Sequence, residues 1–358
     1  MKKVLVLGAT GAMGLPLVKI LLEMGGIEVY ATSRKKHESV GVKWIVGNGH
    51  ELDFLDELLS ATSFDAVVDF LNYSTESFRQ RYERILDKTS QYIFLSSARV
   101  YAPIDNVIDE KSPRILDVCC NEEYLKGDSY DLAKARQEDI LINSKYNNYT
   151  ILRPSLTYND RRLQLALYEM EEWLSRVMDG NSIVFPKEMC NITTTMTHGG
   201  DVALLISRLL FNEKAKGETF NINGGGHETW GRILEIYANA LKKTAGIDVK
   251  VFNDCDAGEI ARKLYRYYQY IYARGINRIF CNKKIESVTG KIDYTSIEDG
   301  LTHSIENLLK NKFHVQHPYV RTVAYLDRIS NEWTHMRHFS GFRSKIYYFL
   351  YRTGMKKI

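Results

Sequence analysis

The stretch Val4-Leu5-Val6-Leu7-Gly8-Ala9-Thr10-Gly11-Ala12-Met13-Gly14 decides how the rest of this 358-residue chain is read. Four consecutive apolar residues predict a short strand buried on both faces, as in parallel sheets covered by helices. Met13, Leu17, Ile20, Leu21 and Met24 then recur at helical spacing, and Gly25-Gly26 ends the run. Between strand and helix lie Gly8, Gly11 and Gly14. Glycine is needed where a chain turns tightly and where backbone N–H groups must approach a pyrophosphate, and a helix start adds its positive dipole end. The spacing G-x-x-G-x-x-G is one residue longer than the dinucleotide fingerprint. Gly8, Thr10, Gly11 and Gly14 are therefore candidate dinucleotide binders; the bland alternative is a purely structural turn.

Outward from this stretch, strand and helix alternate. Strands are predicted over 29–32, 44–46, 65–70, 92–95 and 150–153, with helices around 54–59, 78–86 and 130–143 between them. That rhythm predicts a Rossmann-type doubly wound parallel sheet over residues 1–155, with right-handed connections. After Pro154 the rhythm changes. Residues 156–195 look helical, a helix over 201–210 and a strand over 219–222 return to the first domain within 196–225, and 226–310 is mixed. The expectation is α/β, with 156–195 and 226–310 forming a smaller substrate lobe.

Net charge is +4, too mild to imply nucleic-acid binding. It is unevenly placed: residues 311–358 hold nine Lys or Arg against two Asp or Glu, while the rest is slightly acidic. The five cysteines, Cys119, Cys120, Cys190, Cys255 and Cys281, form no C-x-x-C pair and suit free thiols in a reducing compartment. No metal site is expected. No apolar run reaches the roughly 18–20 residues of a membrane span. The opening residues read as strand–turn–helix rather than as a secretion signal, so a cytoplasmic protein is expected.

Two further motifs carry chemistry. Where an NAD enzyme usually places an acid for the adenosine ribose, this chain has Ser33-Arg34-Lys35-Lys36. A carboxylate would repel a 2′-phosphate and Arg34 would pair with it, which favours NADP and keeps NAD as the alternative; a basic surface loop is the plain reading. Then Tyr130-Asp131-Leu132-Ala133-Lys134 puts a Tyr and a Lys four apart, on one helix face. A neighbouring ammonium favours phenolate, making Tyr130 able to take a proton from a substrate hydroxyl. Lys134 would also hydrogen-bond the nicotinamide ribose, and Ser97, just past the fifth strand, would hold the substrate oxygen. Ser97, Tyr130 and Lys134 are the candidate catalytic residues.

With these pieces in place, the sequence resembles the extended short-chain dehydrogenase/reductase family, the NAD-dependent epimerase/dehydratase group. The resemblance rests on GATGAMG at 8–14, FLSSARVY at 94–101, YDLAK at 130–134, LRPSLTY at 152–158 and TMTHGGDVA at 195–203. It implies a Rossmann lobe, a small substrate lobe and a nucleotide-linked sugar as substrate. The departures bear on the reaction. Dehydratase members carry Asp-Glu after the Ser or Thr, and here Ala98-Arg99 stands there, which argues against a dehydratase. Leu156 replaces a sugar-nucleotide-contacting Asn, and Thr194 an Arg for the diphosphate, for which Arg161, Arg162 or Arg278 would have to substitute. His198, in the turn before a helix, reads as structural.

An epimerase acting on a nucleotide-linked sugar is thus expected, with an NADPH-dependent 4-keto-sugar-nucleotide reductase or a non-catalytic nucleotide-binding protein of the same fold as alternatives. The basic, aromatic tail, 311–358, is expected to be helical and to pack on the substrate lobe or on a second copy in a homodimer. Weak contact with an anionic membrane surface is the sharper alternative.

Overall fold

The computed structural model describes residues 1–311, 315 and 318–356. The chain forms two compact units: Met1–Thr157 with Thr195–Gly225 and Ile279–Thr295, and Tyr158–Thr194 with Gly226–Arg278 and Ser296–Ile358.

The first unit is the doubly wound sheet. Its strands are β1 (Lys2–Leu7), β2 (Ile27–Ser33), β3 (Val42–Val46), β4 (Ala66–Asp69), β5 (Tyr92–Leu95), β6 (Tyr149–Pro154) and β7 (Glu218–Ile222). They lie in the order β7-β6-β5-β4-β1-β2-β3, every pair parallel. The order reverses between β1 and β4, so a crevice for ligands is expected at their carboxyl ends.

The pleat sorts the strand residues onto two cores. Val4 and Val6 face one layer with Leu17 and Leu21 of α1 (Gly14–Met24) and Leu205, Ile206 and Leu209 of a returning helix, Gly199–Leu209. Leu5 and Leu7 face the other with Leu55 and Leu59, Phe78, Phe94 and Ile151. Both faces being buried, the strands need no polar alternation, which is why they read as apolar runs.

Three sequence expectations are corrected. The single helix over 78–86 is two short ones, Thr75–Arg79 and Tyr82–Lys88. Arg81, at the break, is buried and donates to the carbonyls of Ser77, Gly49 and His50. Residues 156–195 are not broadly helical. Only Met170–Met178 is an α-helix there, begun by a Glu169–Glu172 capping box; before it the apolar run doubles back, Leu165 pairing with Tyr168 across Ala166 at φ +48°. Finally, Ile279–Thr295 groups with the first unit rather than with the lobe drawn over 226–310. Ile285 and Ile292 enter the sheet's first core, Lys284 pairs with Glu218 at 2.7 Å, and Asn282 bonds the Asn223 carbonyl at 2.9 Å.

In the second unit the helices Trp230–Ala245 and Ile297–Lys310 pack together, and Trp173 stacks on Tyr237 at 4.6 Å between centroids. The tail contributes helices Val320–Ser330 and Gly341–Thr353. Buried Asp327 accepts from Arg176, from Tyr348 Oη at 2.6 Å and from Thr334 N at 2.8 Å, and Glu332 accepts from Ser182 N and Oγ. The described residues of the tail therefore pack within their own unit; 312–314, 316, 317, 357 and 358, also covered by the tail expectation, lie outside the described residues.

Gly14 lies tight against backbone: a Cβ there would lie 2.5 Å from the Ala9 carbonyl oxygen. Gly14→Ala should destabilise by about 1–3 kcal/mol, the range for forced overpacking. Gly226, where a Cβ meets nothing within 4 Å, is the control; Gly226→Ala should stay within about 0.5 kcal/mol. Urea unfolding of both variants checks this, and equal effects would remove the close-approach argument.

Candidate active site

The candidate site lies at the carboxyl ends of β1, β4 and β5. Gly8, at φ +73°, ends β1 and donates its N–H to Thr32 Oγ1 at 3.2 Å. A Cβ on Gly8 would press on Leu71 at 3.0 Å. Thr10 and Gly11 are exposed in the turn, and α1 starts at Gly14 with no acidic residue in its first turn. A glycine that needs positive φ, a helix start drawn against the strand by a second glycine, and a first turn without carboxylates fit a bound pyrophosphate.

At the end of β2, Ser33 Oγ accepts from Lys35 N at 3.2 Å. Arg34 is exposed and makes no hydrogen bond or ion pair among the described residues. Its charge reaches His50, whose imidazole burial, Arg81 and Arg34 hold below the ordinary value.

The Ser-Tyr-Lys set rides on β5 and on α2 (Tyr130–Ile142). Neighbouring serines divide the work at the end of β5. Ser96 is committed inward, donating to Glu138 at 2.5 Å; Ser97 Oγ accepts from Arg99 N at 3.2 Å and keeps an O–H to donate. Tyr130 opens the helix and is 38% exposed, whereas Lys134, one turn later, is 1% exposed. Lys134 Nζ donates to the Leu95 carbonyl at 2.6 Å and sits 6.0 Å from the Tyr130 ring centroid. Burial pushes the Lys134 ammonium down to about 8, against the pull of Asp69 and Glu138.

Three groups close to this set escaped the sequence reading. Arg99, noticed there only as a departure from the dehydratases, lays its guanidinium 5.1 Å from the Tyr130 ring centroid. Its ion pair with Asp131 is long, 3.5 Å, and its Nε is buried without a hydrogen-bond partner. Asp69, at the end of β4, is buried and accepts from Tyr92 Oη at 2.9 Å, Tyr73 Oη at 3.2 Å and Leu71 N at 3.0 Å; burial raises its carboxyl. The signal was available, since an Asp closing an all-apolar strand must sit in the interior. Glu138, two turns beyond Tyr130, is held by Arg153 through two bonds of 2.8 and 2.7 Å and by Arg114 at 3.3 Å. Arg153 Nη1 donates on to Tyr101 Oη, which donates to Asn221.

His198 precedes the helix Gly199–Leu209, its Nδ1 3.9 Å from Asp201. In the second unit Arg161 and Arg162 are exposed, while Arg278 is buried, its backbone N–H bonded to Thr193 and its Nη2 to the Tyr272 carbonyl. No disulfide links the cysteines. No described helix is long and apolar enough to cross a membrane.

Known proteins share this architecture. An Arabidopsis thaliana protein named chloroplast stem-loop binding protein of 41 kDa b is 30% identical over 256 residues, 67% of this chain; the match spans 63% of that relative's length. UDP-glucuronic acid 4-epimerase from Bacillus cereus, solved with UDP-glucuronic acid and NAD, superposes with a TM-score of 0.65 at 18% identity, over 87% of this chain and 100% of that one. dTDP-glucose 4,6-dehydratase from Bacillus anthracis, solved with NAD, gives 0.66 at 15% identity, over 87% and 98%. At such identities the likeness is one of fold. Residues 4–223 match the NAD dependent epimerase/dehydratase family, and the chain belongs to that family.

Proposed function

We propose that this protein is an NAD(P)-dependent epimerase acting on a nucleotide-linked sugar. The observation that carries the reading is the half-exposed Tyr130, its ring 6.0 Å from the ammonium of the buried Lys134, with Ser97 just past the end of β5 at the sheet's carboxyl edge. The nucleotide sugar in the B. cereus neighbour supports the substrate class. When bound, the nicotinamide supplies the hydride acceptor and donor at a sugar carbon. Ser97 donates to the substrate oxygen and orients it. Tyr130 takes the hydroxyl proton as that carbon is oxidised and returns it on reduction. Lys134 holds positive charge near the phenol and would hydrogen-bond the nicotinamide ribose of a bound cofactor, and Arg99 adds a second cation against the same ring.

The cofactor that copurifies tests the reaction type. Tightly held oxidised cofactor fits an epimerase, which regenerates it in place; exchangeable NADPH would point to the keto-sugar reductase instead. A non-catalytic nucleotide-binding role is the second reading, favoured by the stem-loop binding recorded in the plant relative's name.

Tyr130→Phe separates turnover from binding. It should leave cofactor affinity nearly unchanged and lower epimerisation of UDP-sugars by a factor of about 100 or more, as for loss of a general acid–base group. Activity within tenfold of wild type would remove Tyr130 from the chemistry, and no turnover in the wild type across a UDP-hexose and UDP-uronate panel would favour the binding-protein reading.

For the cofactor, Arg34 is assigned to the 2′-phosphate of NADP. Arg34→Ala should weaken NADP(H) by about 1.5–3 kcal/mol, as for a charged hydrogen bond, and leave NAD(H) unchanged. Titration of both cofactors decides, and equal losses would free Arg34 of that role.

Lys134 also gives a pH signature. The unfolded chain holds this proton up to the usual lysine value, while the folded chain releases it near 8. Below that value both states are protonated and the burial cost is fully present. Between about 8 and 10.5 the unfolded state binds more protons, so stability from this group rises with pH. In urea unfolding without cofactor, wild type should gain on Lys134→Met by about 1–3 kcal/mol between pH 8 and 10; a difference that stays flat would contradict the shift.

A further inference from the structure

The last helix, α3 (Gly341–Thr353), spends only one face on its own unit. Tyr348 is fully buried, stacked on Phe339 at 4.5 Å and bonded to Asp327. Arg352, beside it on the same side, donates to the Glu332 carbonyl at 2.8 Å and covers the Trp333 ring at 4.7 Å.

The opposite face is different. Phe342, Ile346 and Phe349 stand at i, i+4 and i+7, one line along a helix, and are 78%, 40% and 43% exposed. Trp333, half-exposed with its ring 6.2 Å from that of Phe349, widens the strip. Arg343 and Lys345 are exposed and fall on the two flanks of the line. Residues 341–358 contain no Asp or Glu.

An apolar strip between cations, on a helix without a single acid, has a restricted set of partners. A second copy would bring cation against cation, which opposes pairing through this face. A nucleic acid would meet the cations, but an isoleucine flanked by two phenylalanines offers it no hydrogen bond. An anionic lipid surface satisfies both parts, phosphate headgroups taking the cations and the headgroup–acyl boundary taking the strip. We propose that the outer face of α3 docks this protein on anionic lipid bilayers, the helix lying in the membrane plane with Phe342, Ile346 and Phe349 inserted and Arg343 and Lys345 on headgroup phosphates. The inner face meanwhile stays packed on its own unit, so the docking does not require the tail to detach.

The test is flotation of the full-length protein with vesicles of phosphatidylglycerol and phosphatidylcholine in equal parts, beside vesicles of phosphatidylcholine alone. The protein should float with the anionic vesicles only, and recruitment should fall in high salt. Phe342→Ser with Ile346→Ser should cut the bound fraction by about tenfold or more with the melting curve unchanged. Arg343→Gln with Lys345→Gln touches no buried group, weakens recruitment and flattens its salt dependence; this pair decides the matter if the first variant fails to fold. Absence of flotation, flotation that neither pair alters, or equal flotation with neutral vesicles overturns the proposal. So does either alternative partner without flotation: a dimer dissolved by the Phe342–Ile346 pair, or hairpin RNA binding lost in the Arg343–Lys345 pair.

Discussion

Glu138 is the anchor on which the candidate site hangs. Its carboxylate takes two bonds from Arg153 on β6, one from Ser96 at the end of β5 and one from Arg114, while its own backbone belongs to α2. Two neighbouring strands and the helix that carries Tyr130 and Lys134 are thereby joined through one buried side chain. An ion pair this deep gains little over a well-packed apolar substitute, yet loss of one partner leaves an uncompensated charge at a cost of about 3–5 kcal/mol. Its value here is positional. The pair fixes the rotation of α2 about its axis, and with it the direction in which the first turn presents a phenol and an ammonium.

The same arrangement explains why the site was half legible in the sequence. Tyr130 and Lys134 could be found because a helix turns a spacing of four into proximity, and the glycine run because strand, turn and helix succeed each other locally. Glu138 and Arg99 could not be found this way, whereas Asp69 left a signal as the acid that closes an all-apolar strand. Ser96 and Glu138 are 42 residues apart, and Tyr101 meets Asn221 across 120; such bonds are set by which strands become neighbours. The fold followed a similar division. Parallel strands buried on both faces announce themselves as apolar runs. The segment after Pro154 carries apolar residues too, but uses them in a tight reversal at Ala166, where short apolar runs give no period to read. Arg81 is a buried donor to three carbonyls at the break between two short helices, which a single helix over 78–86 gives no reason to expect.

Around Tyr130 the structure gathers more positive charge than the motif alone suggests. Lys134 approaches from below and Arg99 from the side. Asp131, the nearest acid to Arg99, is already occupied by Tyr124 and Ser129 at 2.6 Å each. Arg99 is thus weakly paired for a half-buried guanidinium.

The first unit is sewn from three pieces of chain, and this sets an order of events during synthesis. β6 is complete at Pro154, but its outer neighbour β7 begins only at Glu218, and the helix Lys283–Thr289 that brings Ile285 onto that core comes later still. At roughly 5–20 residues per second of translation, the growing chain spends several seconds with the β6 edge unpaired and an apolar layer uncovered. Bare strand edges recruit other chains. The nascent protein must therefore pass through a vulnerable interval that the finished one never revisits, and its yield in a cell depends on what shields the ribosome-bound half-sheet during those seconds.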